Sequence, residues 1–187
     1  MIGPKKVNMT DINHLIAPSV ADPPAATRAV AGAPMIDLIE LFFFAYRDFV
    51  ADPDEILAPR GFGRAHHRVL HFVNRHPGMR VTDLLDILRI TKQSLGRVLR
   101  ELVDEGFVDS RAGASDRRQR LLFPTPKGEA LAREFIAIQS LRIDAALKAC
   151  GSQSRETVRC FLVAMIDPED RPDVESLIQR ATRLPPA

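Results

Sequence analysis

Between Thr91 and Gly128 the chain is punctuated so closely that few folds can accommodate it. Thr91 is a good helix N-cap, because its hydroxyl can accept a first-turn amide. Behind it, Leu95, Val98, Leu99, Leu102 and Val103 follow the i, i+3, i+4, i+7, i+8 spacing of a helix with one buried face. The spacing predicts a helix to Glu105, ended by Gly106. Phe107-Val108 then opens a strand, the small residues Ala112-Gly113-Ala114-Ser115 supply a turn, and Arg120 to Phe123 returns as a second strand. Thr125-Pro126 restarts helix with a cap and a first-turn proline.

The segments upstream complete the pattern. A helix from about Arg64 to Arg75 turns Val69, Phe72 and Val73 inward and stops at His76-Pro77-Gly78. Thr82 is expected to cap a short helix with Leu84, Leu85 and Leu88 inward, and a turn at Arg89-Ile90 leads to Thr91. Helix, short helix, tight turn, helix and hairpin is the order of a winged helix-turn-helix. The fold class expected is mainly α with a small β-hairpin wing and a helical dimerisation region.

Charge agrees with that reading. From Pro59 to Gly128 there are 14 Lys and Arg against 7 Asp and Glu, whereas the rest of the chain carries 12 against 17. A basic centre between acidic flanks suits a module that binds a polyanion. On the helix after Thr91, stepping 100° per residue from Leu95 puts Gln93, Arg97 and Arg100 at about 160°, 200° and 140°, opposite the apolar set. Thr91, Lys92, Gln93, Ser94, Arg97 and Arg100 are therefore the candidate reading residues. Gln pairs well with adenine, Arg with guanine, and a helix N-terminus favours phosphate. Gly96 at the shoulder lets backbone approach DNA, while Glu101 and Asp104 mark the far half of the helix as a solvated face. In the hairpin, Arg111, Arg117, Arg118 and Arg120 crowd a narrow loop suited to a minor groove. Asp116 is expected to orient the Arg118 guanidinium or to pin the hairpin.

Residues 61 to 128 resemble the MarR family of bacterial regulators. The likeness rests on Gly61-Phe62 before Val69-Leu70, Thr82-x-Leu84-Leu85, and Leu102-x-x-x-Gly106-Phe107-Val108. It continues in Asp116-Arg117-Arg118 and Thr125-x-x-Gly128. Gly63, Ser110 and Pro124 depart from the family pattern. The resemblance implies a homodimer, built by the first helix and the last long helices, on a pseudo-palindromic operator in double-stranded DNA. It also implies a wing arginine in the minor groove, Arg118 first and Arg117 second. A small-molecule effector is a further implication, with Tyr46, Arg47 and His66 as its lining. The expected division is 1–33 a flexible arm, 34–58 a dimerisation helix, 59–128 the DNA-binding lobe and 129–187 the C-terminal dimerisation helices.

The flanks carry their own signals. Ile36, Leu38, Ile39, Leu41, Phe42, Phe43, Phe44, Tyr46, Phe49 and Val50 leave almost no polar stripe on a helix, so a partner subunit is its natural cover. Ala51-Asp52-Pro53-Asp54 is expected to break it. A short helical piece is expected near Met9 to Ile16 within the arm. The helix after Thr125 should turn Leu131, Phe135, Ile138, Leu141 and Ala145 to one side. A later helix carries Val158, Phe161, Leu162 and Met165, and a last one Val174, Leu177, Ile178 and Ala181.

Four of the five histidines fall between His66 and His76, and the i, i+4 pair His67 and His71 has a spacing that zinc accepts. With no cysteine or carboxylate set beside them, they read as helix-surface histidines, and no metal or cofactor is expected. Cys150 and Cys160 are too few for a disulfide framework, and Cys160 reads as a packing residue. No apolar run approaches a membrane span and no secretion signal opens the chain, which places the protein in the cytoplasm. Gly-rich phosphate loops, nucleophile elbows and zinc-ligand motifs are absent from the sequence, so it does not read as an enzyme. The alternatives to a DNA-binding regulator are a winged-helix module that binds protein and a metal- or redox-responsive regulator.

Overall fold

The computed structural model describes residues 34–114 and 116–183, with side chains described to Ala181. The arm 1–33, its expected helical piece and Ser115 of the hairpin turn lie outside the described residues. The chain divides into two units, 1–41 and 42–187. Of the first unit, the described residues enter α1 (Ile36–Leu57), with Met35, Ile36, Leu38, Ile39 and Leu41 all exposed.

In the second unit α1 continues unbroken to Leu57, so the break expected at Ala51 to Asp54 does not occur. Pro53 has no N–H and strips the carbonyl four residues back, that of Phe49, of its helical partner. Gln139, buried on α5 (Pro126–Cys150), donates its side-chain amide to that carbonyl at 3.4 Å. A residue 90 positions away thus supplies the bond that proline removes.

After a 3-10 turn at Ala58–Arg60 come α2 (Arg64–Arg75), β1 (Met79–Arg80), α3 (Val81–Leu88) and α4 (Lys92–Asp104). Strands β2 (Val108–Ala112) and β3 (Arg120–Pro124) follow, and α6 (Ser154–Ala164) and α7 (Arg171–Arg183) succeed α5. Thr82 does not cap α3. The cap is Arg80, whose backbone amide donates to Asp83 at 2.9 Å while its guanidinium grips the same carboxylate. The acid reaching back one turn from inside the helix outcompetes a hydroxyl placed too late. The sheet runs β1-β3-β2, all antiparallel, with Met79 opposite Leu122 and Ser110 opposite the same residue on the other side. Strand β1, two residues long, is too short to carry an alternation pattern.

One core binds these elements. Leu70 and Val73 of α2, Leu84 and Leu88 of α3, and Leu95, Val98 and Leu102 of α4 pack with Phe107, Val108 and Leu122 of the wing side. Leu57 joins from α1, and Leu131 and Phe135 from α5. Each fully buried Leu or Phe here contributes about 1.5–3 kcal/mol.

The far half of α5 and most of α6 are exposed within the chain. Leu141 is 71% exposed, Ala145 is also exposed, and Val158, Phe161 and Leu162 of α6 and Met165 just after it lie open within the chain. Cys150 and Cys160 are both exposed, so Cys160 is not a packing residue of this chain. Among the described residues no helix is long and apolar enough to cross a membrane.

Candidate nucleic-acid interface

Two elements of the second unit display basic groups. The first is the N-terminal half of α4. Thr91 caps it as expected, its hydroxyl accepting the Ser94 amide at 3.1 Å and donating to the Ser94 hydroxyl at 2.9 Å. Leu95, Val98 and Leu102 are buried, which fixes the rotation of the helix and turns Thr91, Lys92, Gln93, Ser94, Arg97 and Arg100 to the exposed side. Gly96 has nothing within 4 Å of where a Cβ would sit. The turn before α4 places Arg89 in the left-handed region, at φ 49°, and its guanidinium pairs with Asp170 in the loop between α6 and α7.

The second element is the hairpin, where the four arginines divide into two pairs. Arg111 bonds Asp109 at 2.9 Å and lies over the Phe123 ring at 4.6 Å. Arg120 donates to the Ser110 hydroxyl and to the Ser110 carbonyl at 3.1 and 2.8 Å. These two brace the strands. Asp116 does not orient the Arg118 guanidinium; its carboxylate accepts the Arg118 backbone amide at 2.9 Å and shapes the turn. Gly113 and Gln119 close that turn through a 3.0 Å backbone bond, and a Cβ on Gly113 would lie 2.8 Å from the Asp116 carbonyl oxygen. Arg117 and Arg118 are left exposed, and among the described residues neither guanidinium has an ion-pair partner.

The histidines of α2 are not surface residues. His66 and His67 are buried. His66 stacks on Phe62, centroids 4.3 Å apart, and Phe62 meets Phe107 edge-on. The Nδ1 of His66 accepts the Gly63 amide at 3.1 Å, and its Nε2 lies 2.7 Å from Glu101 on α4. The other Glu101 oxygen accepts from Arg97 Nε at 2.9 Å. The Arg97 guanidinium holds the Glu101 carboxyl below the usual carboxylate range, and His66 adds in the same direction. Glu101 is thus half-buried and engaged on both sides, not part of a plain solvated face.

His67 lies edge-on to Phe135, and burial pulls its proton affinity down. His71 is pushed down to about 4, by burial first and then by the neighbouring His67, Arg75 and His76. Among the described residues no group of three His, Cys, Asp or Glu is placed to hold a metal ion. Of the three residues read as an effector lining, His66 is committed to Gly63 and Glu101, Arg47 pairs with its neighbour Asp48, and Tyr46 is exposed on α1. The link from His66 to Glu101 was invisible in the sequence, since the two lie 35 positions apart and on different helices.

The sequence profile of the MarR family matches residues 60–119, the stretch from the end of the 3-10 turn to the tip of the hairpin. Over 133 residues the chain is 53% identical to the HTH-type transcriptional regulator PetP of Rhodobacter capsulatus, covering 71% of this chain and 80% of that one. This chain belongs to the MarR family of transcriptional regulators. Solved structures agree with the fold of this MarR-family chain. A MarR transcriptional regulator from Methanosarcina mazei superposes with a TM-score of 0.60 at 24% identity, over 75% of this chain and 94% of that one. A MarR variant from E. coli complexed with operator DNA gives 0.57 at 21% identity, over 71% and 96%. As a MarR-family regulator it is not an enzyme.

Proposed function

We propose that this regulator binds a pseudo-palindromic operator in duplex DNA as a cytoplasmic homodimer, with α4 in the major groove and the wing tip in the minor groove. The observation that carries the reading is the division of labour in the hairpin. Arg111 and Arg120 spend their donors on the hairpin itself, whereas Arg117 and Arg118 stand on a turn already closed by Asp116. A narrow loop carrying two guanidiniums that have no ion-pair partner among the described residues matches the negative potential of a minor groove. The exposed Gln93, Arg97 and Arg100 of α4 suit the donor and acceptor pattern of a major groove. The operator complex of the E. coli relative supports the same direction of reading.

The homodimer rests on apolar side chains that the chain leaves open. Phe42, Phe43, Phe44 and Tyr46 of α1 are 44–70% exposed, and Phe161 and Leu162 of α6 with Met165 at its C-terminal end are 47–60% exposed. Exposed aromatic groups in this number favour burial against a second copy. In such a dimer the two α4 helices would enter successive major grooves about 34 Å apart. Phe161→Asp should shift the protein towards monomer in sedimentation and abolish tight binding; a dimer unchanged by it would place the interface elsewhere. The reading includes modulation by a small-molecule effector that distinguishes the DNA-competent arrangement of the two lobes from others.

Fluorescence anisotropy on duplex DNA across a salt series tests the whole. Affinity should fall with a log–log slope of about 0.9 per phosphate contacted. Arg118→Ala should weaken binding to all duplexes about tenfold and lower the slope by about 1. An unchanged dissociation constant at physiological salt would remove Arg118 from the interface.

A further inference from the structure

The contacts around Glu101 form a continuous chain from the core to the exposed face of α4. The His66 ring is clamped between the Phe62 stack and the Gly63 amide, so Nδ1 is the acceptor and the neutral ring carries its proton on Nε2. That proton donates to one oxygen of Glu101, and the second oxygen receives Arg97 Nε. Each member thereby has its direction set by the one beneath it. Arg97 has a side chain 79% exposed, yet its Nε is taken, which leaves the two Nη groups as the outward fork.

We propose that His66 and Glu101 are positioning residues that aim Arg97 at a base edge, so that sequence discrimination by this regulator depends on a buried histidine that never touches DNA. The proposal rests on the reading of α4 as the major-groove helix. An arginine on an exposed helix face samples many rotamers, and bidentate recognition of a base needs one of them. Holding Nε fixes the plane of the guanidinium before DNA arrives, which is how supporting side chains raise the precision of a contact they do not make. The Glu101 charge also offsets that of Arg97, so the arginine draws less generic phosphate attraction and contributes more through direction. Arg100, for which no carboxylate partner exists among the described residues, lacks such a support.

The test uses a duplex enriched by the wild-type protein from a random-sequence pool, together with copies carrying each single base-pair change. Arg97→Ala should flatten discrimination at one or two positions. His66→Gln retains the N-cap, because a glutamine three residues in can accept the Gly63 amide as a capping-box side chain does, but its amide cannot also reach Glu101. Glu101→Gln removes the charge and one acceptor. Both variants should lose about tenfold of the discrimination at the positions that Arg97→Ala flattens. The salt slope of His66→Gln should stay that of wild type. Glu101→Gln should bind mismatched duplexes more tightly, a combination that mere damage to the fold does not produce. Wild-type discrimination in either variant, with Arg97→Ala still flattening those positions, overturns the positioning role alone. If Arg97→Ala flattens no position, the base-reading role of Arg97 fails and the positioning role with it. Should His66→Gln fail to fold, Glu101→Gln decides the matter by the same criteria.

Discussion

Gly128→Ala is expected to destabilise the winged lobe by about 3 kcal/mol or more, because the added methyl meets the closest obstacle found at any described glycine. A Cβ at Gly128 would sit 2.0 Å from the Phe107 carbonyl oxygen and 3.0 Å from its carbon, inside any tolerable contact. The obstacle is backbone, so no side chain can rotate away. Nor can the backbone shift cheaply. The same carbonyl accepts the Thr125 amide at 3.1 Å, and Thr125 donates its hydroxyl to the Gly106 carbonyl at 2.7 Å while accepting the Gly128 amide at 3.1 Å. Lys127 adds a bond to the Glu105 carbonyl at 2.7 Å and lies 4.1 Å over the Phe107 ring. The end of α4, the start of β2 and the start of α5 meet at this one glycine. Urea denaturation of Gly128→Ala should show a midpoint far below wild type. Gly96→Ala provides the control: its methyl meets nothing, and the gain in helix propensity should stabilise the fold by up to about 1 kcal/mol. Equal midpoints for wild type and Gly128→Ala would mean that the contact with Phe107 is not kept in solution.

The second large effect concerns acid. His71, held near 4 in the folded chain against an ordinary imidazole value of 6.5, is neutral when folded throughout the mildly acidic range. Above pH 6.5 the ring is neutral in both states and contributes no difference. Between 6.5 and about 4 the unfolded chain takes up a proton that the folded chain refuses, so stability falls as pH falls, by about 1.4 kcal/mol per unit. The loss from this ring is about 2 kcal/mol by pH 5, less what the solvent-facing part of the half-buried ring recovers by screening. Burial lowers His67 and His76 in the same direction. Denaturation midpoints at about pH 7.5 and pH 5 measure the loss, and His71→Phe should make the two more nearly equal. A midpoint independent of pH over that interval would show that His71 is protonated in the folded protein.

The parts of this molecule that could be read from its sequence are those fixed by local chemistry. The apolar set from Leu95 to Leu102 gave the rotation of α4, and with it the exposed side bearing Gln93, Arg97 and Arg100, because a helix with one buried face admits one orientation. Thr91 and Thr125 announced their helices because a capping hydroxyl acts within three residues. The Thr125-x-x-Gly128 spacing was visible as a pattern, while its cause, the Phe107 carbonyl, lies across the fold. Where partners are distant, local reasoning fails. Pro53 should end a helix, and does not, because Gln139 takes up the carbonyl it orphans. His66 looked like a polar helix residue near a pocket and is a core residue bonded to α4. The carboxylate of Asp116 faced two guanidiniums in the sequence and chose a backbone amide, since a turn must satisfy its own N–H groups first.

That last choice has a thermodynamic corollary. In the proposed complex, the bonds of Asp116 to the Arg118 amide and of Gly113 to Gln119 close the turn without nucleic acid, so less ordering entropy is left to lose when Arg117 and Arg118 settle on contact. Association should therefore proceed as rigid docking: fast to form, with its lifetime governed by the depth of insertion and not by any refolding of the loop.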